Sequence, residues 1–137
     1  MNGANLQQSL YDAMIGDTAL MAVVQGVYSD VQQPNLPEND SAFPYITFGT
    51  DTLTAFDTKT DDGTNALCQV DIWSRQNDLI EVKQIAQLLH DLFHHQDLTI
   101  TGANHIITLQ ESADFTRDPD GHTKRGLVLL RILYDQV

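Results

Sequence analysis

The apolar positions near the start of the chain follow a helical spacing. Four of them recur three or four residues apart: Leu6, Leu10, Ala13 and Met14. Gly16 is expected to end this helix, because glycine is common directly after the last helical residue. Asp17 or Thr18 can then cap a short second helix that runs through Val24.

Three segments before residue 75 have the pattern of β-strands, because they are rich in β-branched and aromatic residues. They are Val27–Tyr28, residues 44–49 and residues 66–74. In the third segment, side chains alternate between two faces, with Cys68, Val70 and Ile72 on one. Trp73 falls on the other face, so that face cannot be wholly solvated.

The clearest helical pattern follows this third strand. Its apolar stripe consists of Leu79, Val82, Ile85, Ala86, Leu89 and Phe93. Asp78 is expected to be the N-cap, and Glu81 would complete an aspartate form of the capping box. The sequence therefore predicts a long helix that packs one side against a core.

The last third of the chain predicts three more strands, at residues 98–100, 106–111 and 126–134. The last two are expected to pair, because Asp118-Pro119-Asp120-Gly121 between them is a turn sequence. The order of elements predicts one α+β domain over residues 1–137. Its helices would pack on one face of a small, mainly antiparallel sheet.

Sheet and long helix should share one core or pack against a neighbouring subunit. The side chains expected there are Val70, Ile72, Trp73, Leu89, Phe93, Leu129 and Ile132. Two long polar arms, residues 32–41 and 51–65, contain too few apolar side chains to add to it. Segments 51–65 and 115–124 are expected to be mobile in the isolated chain and fixed in an assembly.

The charge balance is strongly acidic, with a formal net charge of −12 at pH 7. This argues against general phosphate binding, which depends on Lys and Arg contacts. No apolar run approaches the roughly 20 residues that cross a bilayer, and the first residues lack a signal-peptide pattern. Cys68 is the single cysteine, so no intramolecular disulfide can form, and its apolar flanks favour a buried structural thiol.

Candidate catalytic or metal-binding groups are few. His90 and His94 have the spacing that places two imidazoles on one helical face, and His95 follows. The alternative interpretation is a solvated helix end, where histidines interact with free carbonyls. The acids Asp57, Asp61 and Asp62 lack the alternation of a calcium loop. The sequence predicts no catalytic site, cofactor or metal site.

Three segments, taken in order, resemble one family, the tail-completion or head–tail joining proteins of long-tailed phages, prophages and gene-transfer particles. The first is Val27-Tyr28-Ser29-Asp30, a polar loop and residues 44–49. The second is Asp57-Thr58-Lys59-Thr60, Gly63 and a strand that leads to Ile72-Trp73-Ser74-Arg75. The third is Arg117-Asp118-Pro119-Asp120-Gly121-His122-Thr123 with the strand that begins Gly126-Leu127. His122 stands where the family often has a basic residue.

The resemblance implies a structural subunit of a six-fold ring at the head-proximal end of the tail. Its partners would be further copies of itself, the head connector or stopper proteins, the tail tube protein and passing double-stranded DNA. It would lie at the head–tail junction of the virion, and in the host cytoplasm during assembly, without membrane contact. Expected contact residues are Asp57, Thr58, Lys59, Thr60, Trp73, Arg75, Arg117, Asp118, Asp120 and His122.

The excess of acid has two interpretations. Carboxylates on a channel wall would repel DNA within a Debye length of roughly 8–10 Å, and the candidates for such a wall are Asp51, Asp61 and Asp62. The alternative is solubility alone. Two other functions also remain open. One is the tail terminator ring proper, and the other is a non-viral acidic protein-binding module, for which a two-fold dimer is expected. An enzyme is the least favoured class.

Overall fold

The computed structural model describes residues 2–29, 43–60 and 62–136. Its helices are α1 (Gly3–Ile15), α2 (Thr18–Met21) and α3 (Ile80–Phe93). Its strands are β1 (Val27–Tyr28), β2 (Tyr45–Ala55), β3 (Gly63–Ser74), β4 (Ala103–Arg117) and β5 (Lys124–Gln136). The polar loop predicted at residues 32–41 lies outside the described residues.

The strands form one sheet in the order β1-β2-β3-β5-β4. β1 is parallel to β2, and all the other neighbours are antiparallel. The predicted combination of helices with a mainly antiparallel sheet is therefore confirmed. β3 pairs with β2 on one side and with β5 on the other along its whole length, so residues at equivalent positions of three strands share a face.

The hydrophobic core lies between the sheet and the helices. α3 contacts β3, β4 and β5, while α1 contacts α2 and β1. One face of β3 supplies Ala66, Cys68, Val70 and Ile72, each with no exposed surface. The helices supply Leu6, Leu10 and Met14 from α1 and Val82, Ile85, Leu89 and Phe93 from α3. The apolar stripes that predicted both helices are thus the faces that they bury.

Two of the seven predicted core residues lie elsewhere. Trp73 pairs with Arg125, and Leu129 pairs with Gln69, on the face of the sheet opposite to α3. Both side chains are half-buried. Their assignment to the layer beneath α3 was wrong, because strand alternation places them one residue out of phase with Ile72 and Val128. Packing of these two side chains against a neighbouring subunit stays a prediction.

The predicted strand at residues 98–100 is wrong. Leu98 and Ile100 are buried, but the segment is irregular and pairs with no described strand. Side chains of α1 bind carbonyl groups in and directly after this segment. Ser9 Oγ donates to Thr99 O at 2.6 Å, and Asn5 Nδ2 donates to Thr101 O at 2.9 Å. Side chains of a helix therefore take the place of a strand partner.

The strands are longer than the apolar patterns predict. The polar segment 51–65 continues β2 and β3 as a hairpin, with Thr54 opposite Asn65 and Ala55 opposite Thr64. The polar segment is therefore extended chain that bends through a turn. β4 extends to Arg117, and β5 begins at Lys124, so the supposed arm at 115–124 is reduced to a short connection.

The helix caps agree only in part with the sequence prediction. Asp17 caps α2 by accepting a hydrogen bond from Leu20 N at 3.2 Å, but α2 ends at Met21 rather than Val24. The capping box at α3 is wrong. Asp78 accepts from Ile80 N at 3.0 Å, whereas the Glu81 carboxylate accepts from Ser74 Oγ and so ties α3 to the end of β3.

Candidate functional site

Most of the predicted contact residues meet at one end of the sheet. The register places Trp73 beside Arg125 and Tyr45, and Ser74 beside Lys124, which is itself opposite Arg117. The connection between β4 and β5 lies at this same end. We call this surface the arginine end; it consists of Phe43, Tyr45, Trp73, Arg75, Arg117, Asp118, Asp120, His122, Lys124 and Arg125.

Trp73 is fixed within the arginine end by three contacts. Its Nε1 donates a hydrogen bond to Thr47 Oγ1 at 3.0 Å. Its ring stacks on that of Tyr45, with 6.4 Å between centroids. The guanidinium carbon of Arg125 lies 5.2 Å from the Trp73 ring centroid, within the range of a cation–π contact. The indole is thus held rigid while part of it stays accessible.

A buried carboxylate anchors Arg125. Asp71 is 5% exposed, and its Oδ1 accepts from Arg125 Nη2 at 2.9 Å and from Arg125 Nε at 3.2 Å. Gln69 Nε2 lies 3.2 Å from both carboxylate oxygens. Strand alternation places Asp71 on the same face as Trp73 but does not show that it is buried, and no local pattern in the sequence indicates its pair with Arg125.

The connection from Asp118 to Thr123 is a turn held together by Asp120. Its Oδ1 accepts from His122 N and Thr123 N, and its Oδ2 accepts from Thr123 Oγ1, each at 2.8 Å. The backbone donors of Thr123 and His122 lower the pKa of Asp120 to about 2. Gly121 supplies the left-handed conformation of the turn, with φ 71°. Asp120 is therefore a turn residue whose oxygens are occupied.

Arg75 joins this turn to the start of β2. Its Nε donates to Thr123 Oγ1 at 3.3 Å, and its guanidinium carbon lies 4.4 Å from the centroid of the Phe43 ring. Lys124 is buried, and its Nζ donates to His122 O at 3.1 Å. Arg117 is exposed. The resemblance motifs that contain Trp73, Arg75 and residues 117–123 thus form one continuous surface.

The remaining predicted contact residues lie at the opposite end of the sheet. Asp57, Thr58, Lys59 and Thr60 are all exposed in the connection between β2 and β3. β3 has 12 residues, so at about 3.3 Å per residue the two groups are roughly 40 Å apart. The expected contact residues therefore lie on two separate surfaces. We call the second the hairpin tip; it consists of residues 56–60 and 62.

Phe56 is an exposed aromatic residue of the hairpin tip that the sequence analysis overlooked. Its side chain is 42% exposed. Its ring lies against Gly63, where an added Cβ would be 2.4 Å from Phe56 Cε2, so Gly63 leaves the space that the ring fills. A lone phenylalanine within a polar arm was the available signal. Asp62, a predicted channel acid, is exposed beside it, while Asp61 lies outside the described residues.

Asp51, the third predicted channel acid, has a different environment. It pairs with Cys68 across β2 and β3, and burial raises its pKa while a hydrogen bond with Cys68 opposes that rise. The Cys68 thiol is buried, and burial with the nearby Asp51 raises its pKa well above the ordinary value. The structure thus confirms that Cys68 is a buried thiol of the core, as its apolar flanks predict.

The three histidines stack at the end of α3. Ring centroids are 4.4 Å apart for His90 and His94 and 4.2 Å apart for His94 and His95. His94 Nδ1 accepts a hydrogen bond from Gln110 N of β4 at 3.0 Å. Within residues 2–29, 43–60 and 62–136, no three His, Cys, Asp or Glu side chains are grouped as metal ligands. The histidines join a helix end to a strand.

The His94 contact predicts a pH-dependent stability. Desolvation, followed by the nearby His95 and His90, lowers the pKa of His94 from 6.5. The unfolded chain therefore binds this proton more readily, and the free energy of unfolding should fall as the pH is lowered below about 6.5. Chemical denaturation between pH 5 and pH 8 measures this slope.

A matched pair of variants isolates the contribution of His94. His94→Asn retains a side-chain acceptor for Gln110 N and should give a flatter stability profile below pH 6.5. His122→Asn, at the other end of the molecule, should follow the wild-type profile. A wild-type slope in His94→Asn would contradict the assignment.

Comparison with known proteins places the chain in a family. The family model described as "Tail completion protein gp17" matches residues 8–135. The chain belongs to this family. A tail completion protein gp17 from Bacillus phage SPP1 is 25% identical over 95 residues, which are 69% of this chain and 70% of that protein. The chain is therefore a phage tail completion protein, as the sequence resemblance implies.

Two solved structures share the fold of this tail completion protein. One is a chain from the virion of a native gene transfer agent particle, with a TM-score of 0.85, 19% identity and coverage of 98% of this chain and 97% of that one. The other is the gp17 protein of bacteriophage SPP1, with a TM-score of 0.58, 21% identity and coverage of 94% and 87%. Among the described residues, no helix has the length and apolar character required to cross a membrane.

Proposed function

We propose that this chain, acting as a single tail-completion domain over residues 1–137, forms a six-fold ring. The ring closes the head-proximal end of the tail tube and docks on the head connector, at the head–tail junction of the virion. Its role is structural, and it needs no catalytic site, metal or cofactor. The tail tube protein and the connector or stopper proteins are its other partners.

The separation of the two motif surfaces supports the ring most directly. A closed ring needs a heterologous contact, in which two different surfaces of each copy meet. The arginine end and the hairpin tip are two such surfaces on opposite ends of one sheet. A two-fold dimer, expected for an acidic regulatory module, would use only one surface that meets its own copy.

The outer edge of β4 supports assembly independently. β4 has 15 residues, and in the sheet order it is an edge strand. Ile106 on this strand is 52% exposed. The end of α3 covers the middle of this edge, where His95 N donates to Thr108 O at 2.8 Å and Gln110 N donates to His94 Nδ1 at 3.0 Å. Among the described residues, the parts of the edge on either side are open, and open edges invite pairing with other chains. In the assembled tail, a neighbouring subunit or the tail tube protein would cover this edge.

The acidity fits passage of DNA through the ring without specific binding. The hairpin tip exposes Asp57 and Asp62 together with a single lysine, Lys59. If Asp51, Asp61 and Asp62 face the channel, their carboxylates repel the duplex at short range. Solubility remains the competing explanation of the net charge.

Tails assembled without this chain provide the test. Purified chain added to such tails should form one closed ring at the head-proximal end, visible by cryo-electron microscopy, and should restore joining to DNA-filled heads. Tails without added chain, mixed with the same heads, are the control. Two-fold pairs alone, or no copies at that end of the tail, would overturn the proposal.

A further inference from the structure

The hairpin tip carries an apolar anchor together with two exposed carboxylates and one exposed lysine, Lys59. Phe56 is fixed against Gly63 and keeps 42% of its side chain exposed. Asp57 follows it directly, and Asp62 is exposed on the returning side of the hairpin. A rigid aromatic residue loses little conformational entropy on binding, so such residues often contribute strongly to an interface.

The arginine end has the complementary character. The chain has seven Lys and Arg residues, and four of them lie at this end: Arg75, Arg117, Lys124 and Arg125. Arg75 and Arg125 are held over the rings of Phe43 and Trp73, so these two guanidinium groups are already ordered. Arg117 is exposed beside them. Tryptophan and arginine are enriched among the residues that dominate binding energy at interfaces.

We infer that the hairpin tip of one copy docks on the arginine end of the next copy around the ring. This inference rests on the proposed function, because it assigns the two surfaces that meet in the ring contact. With Asp62 in this contact, the proposed channel acids are Asp51 and Asp61. The surfaces are roughly 40 Å apart in one molecule, given about 3.3 Å per residue along β3. They can therefore meet only between copies. Each copy has one hairpin tip and one arginine end, so the same contact repeats from copy to copy until the ring closes.

Charge gives this pairing its direction. Copies that each carry a net charge of −12 repel one another at long range. Four of the seven cationic residues gather at the arginine end, where Asp71 pairs with Arg125 and Lys124 is buried. Arg75 and the exposed Arg117 are therefore the cations that attract an acidic tip, and their attraction exceeds the repulsion from Asp118 and Asp120 only in part of this surface. This selects tip-to-end docking over tip-to-tip docking.

Charge reversal tests the pairing. Asp57→Lys reverses the tip, and Arg117→Glu reverses the arginine end; both positions are exposed, so both variants should keep the wild-type melting temperature. Added separately to tails that lack the chain, each should form rings at least about tenfold less efficiently, because six interfaces each lose a surface attraction. Asp91→Lys and Lys83→Glu, reversals on the exposed side of α3, should assemble like the wild type.

An equal mixture of the two variants gives the decisive result. In a ring that alternates them, every reversed tip faces a reversed end, and every native tip faces a native end. The mixture should therefore recover ring formation to within about twofold of the wild type, since the favourable charge pairing is restored at all six contacts. Quantitative mass spectrometry of purified tails should find the two variants in a one-to-one ratio.

The outcomes separate this inference from the function on which it rests. If each variant alone forms rings as efficiently as the wild-type chain, tip-to-end docking is overturned, but the proposal of a ring is not. Two variants that fail alone and also fail when mixed would overturn the docking as well. If the wild-type chain forms no ring on tails, the proposed function falls, and this inference falls with it.

Discussion

Replacing Leu89 with alanine should lower the free energy of unfolding by about 2–5 kcal/mol, the range for large-to-small changes in a packed core. Leu89 has no exposed surface and lies in the central stripe of α3, which packs on β3 and β5. The substitution removes apolar contacts and leaves a cavity that the two layers can close only partly. Urea denaturation of the isolated chain, followed by circular dichroism, measures the change.

Leu88 is the matched control for this prediction. It is the same residue type on the same helix, but it is only half-buried. Leu88→Ala should therefore cost clearly less than Leu89→Ala. A loss below about 1 kcal/mol for Leu89→Ala would mean that this stripe is not packed in solution, and the two-layer arrangement would be wrong.

The parts of the fold that were predictable are those encoded by local periodicity. The α3 stripe and the alternation of Cys68, Val70 and Ile72 each span several repeats, so the buried face follows from the sequence. Residues 98–100 gave a false strand because a short apolar segment can be buried without strand pairing. The carbonyls of Thr99 and Thr101 bond to side chains of α1, a long-range contact that no local pattern contains.

The two candidate surfaces, the arginine end and the hairpin tip, also depend on long-range contacts that local sequence patterns do not contain. The motif residues were identifiable one by one, but the register of the sheet decides which of them meet. Pairing of β3 with β5 brings Trp73 to Arg125 across 52 positions of the chain, and the same β3 separates Trp73 from Asp57. Because β3 runs from the motif that contains Asp57 to the motif that contains Trp73, the two motifs lie at opposite ends of the sheet. Their distance is set by the length of β3, which the spacing of the motifs does not reveal.

Buried polar contacts were the least predictable part. Alternation places Asp71 on the partly solvated face of β3, yet it is 5% exposed because Arg125, Gln69 and neighbouring side chains surround it. Burial of a carboxylate depends on side chains that come from other strands. It becomes visible only when the register is known.

The second large effect on the free energy of unfolding is expected from the pair of Asp71 and Arg125. Arg125→Met should lower the free energy of unfolding by about 2–3 kcal/mol. It leaves the Asp71 carboxylate buried with Gln69 as its remaining side-chain donor among the described residues. Breaking a fully buried pair costs about 3–5 kcal/mol, but the Arg125 side chain is 33% exposed, so solvent screens part of the interaction. Urea denaturation at pH 7 measures the loss.

The double variant separates loss of the pair from loss of packing. In Arg125→Met with Asp71→Leu, no charge is left buried, and replacement of an ion pair by apolar side chains is often close to neutral. The double variant should recover stability to within about 1 kcal/mol of the wild type. It should nevertheless remain defective in ring formation, because the cation over Trp73 is missing from the arginine end. A double variant no more stable than Arg125→Met alone would show that the loss does not come from the unpaired Asp71 carboxylate, and the ion-pair explanation would be wrong.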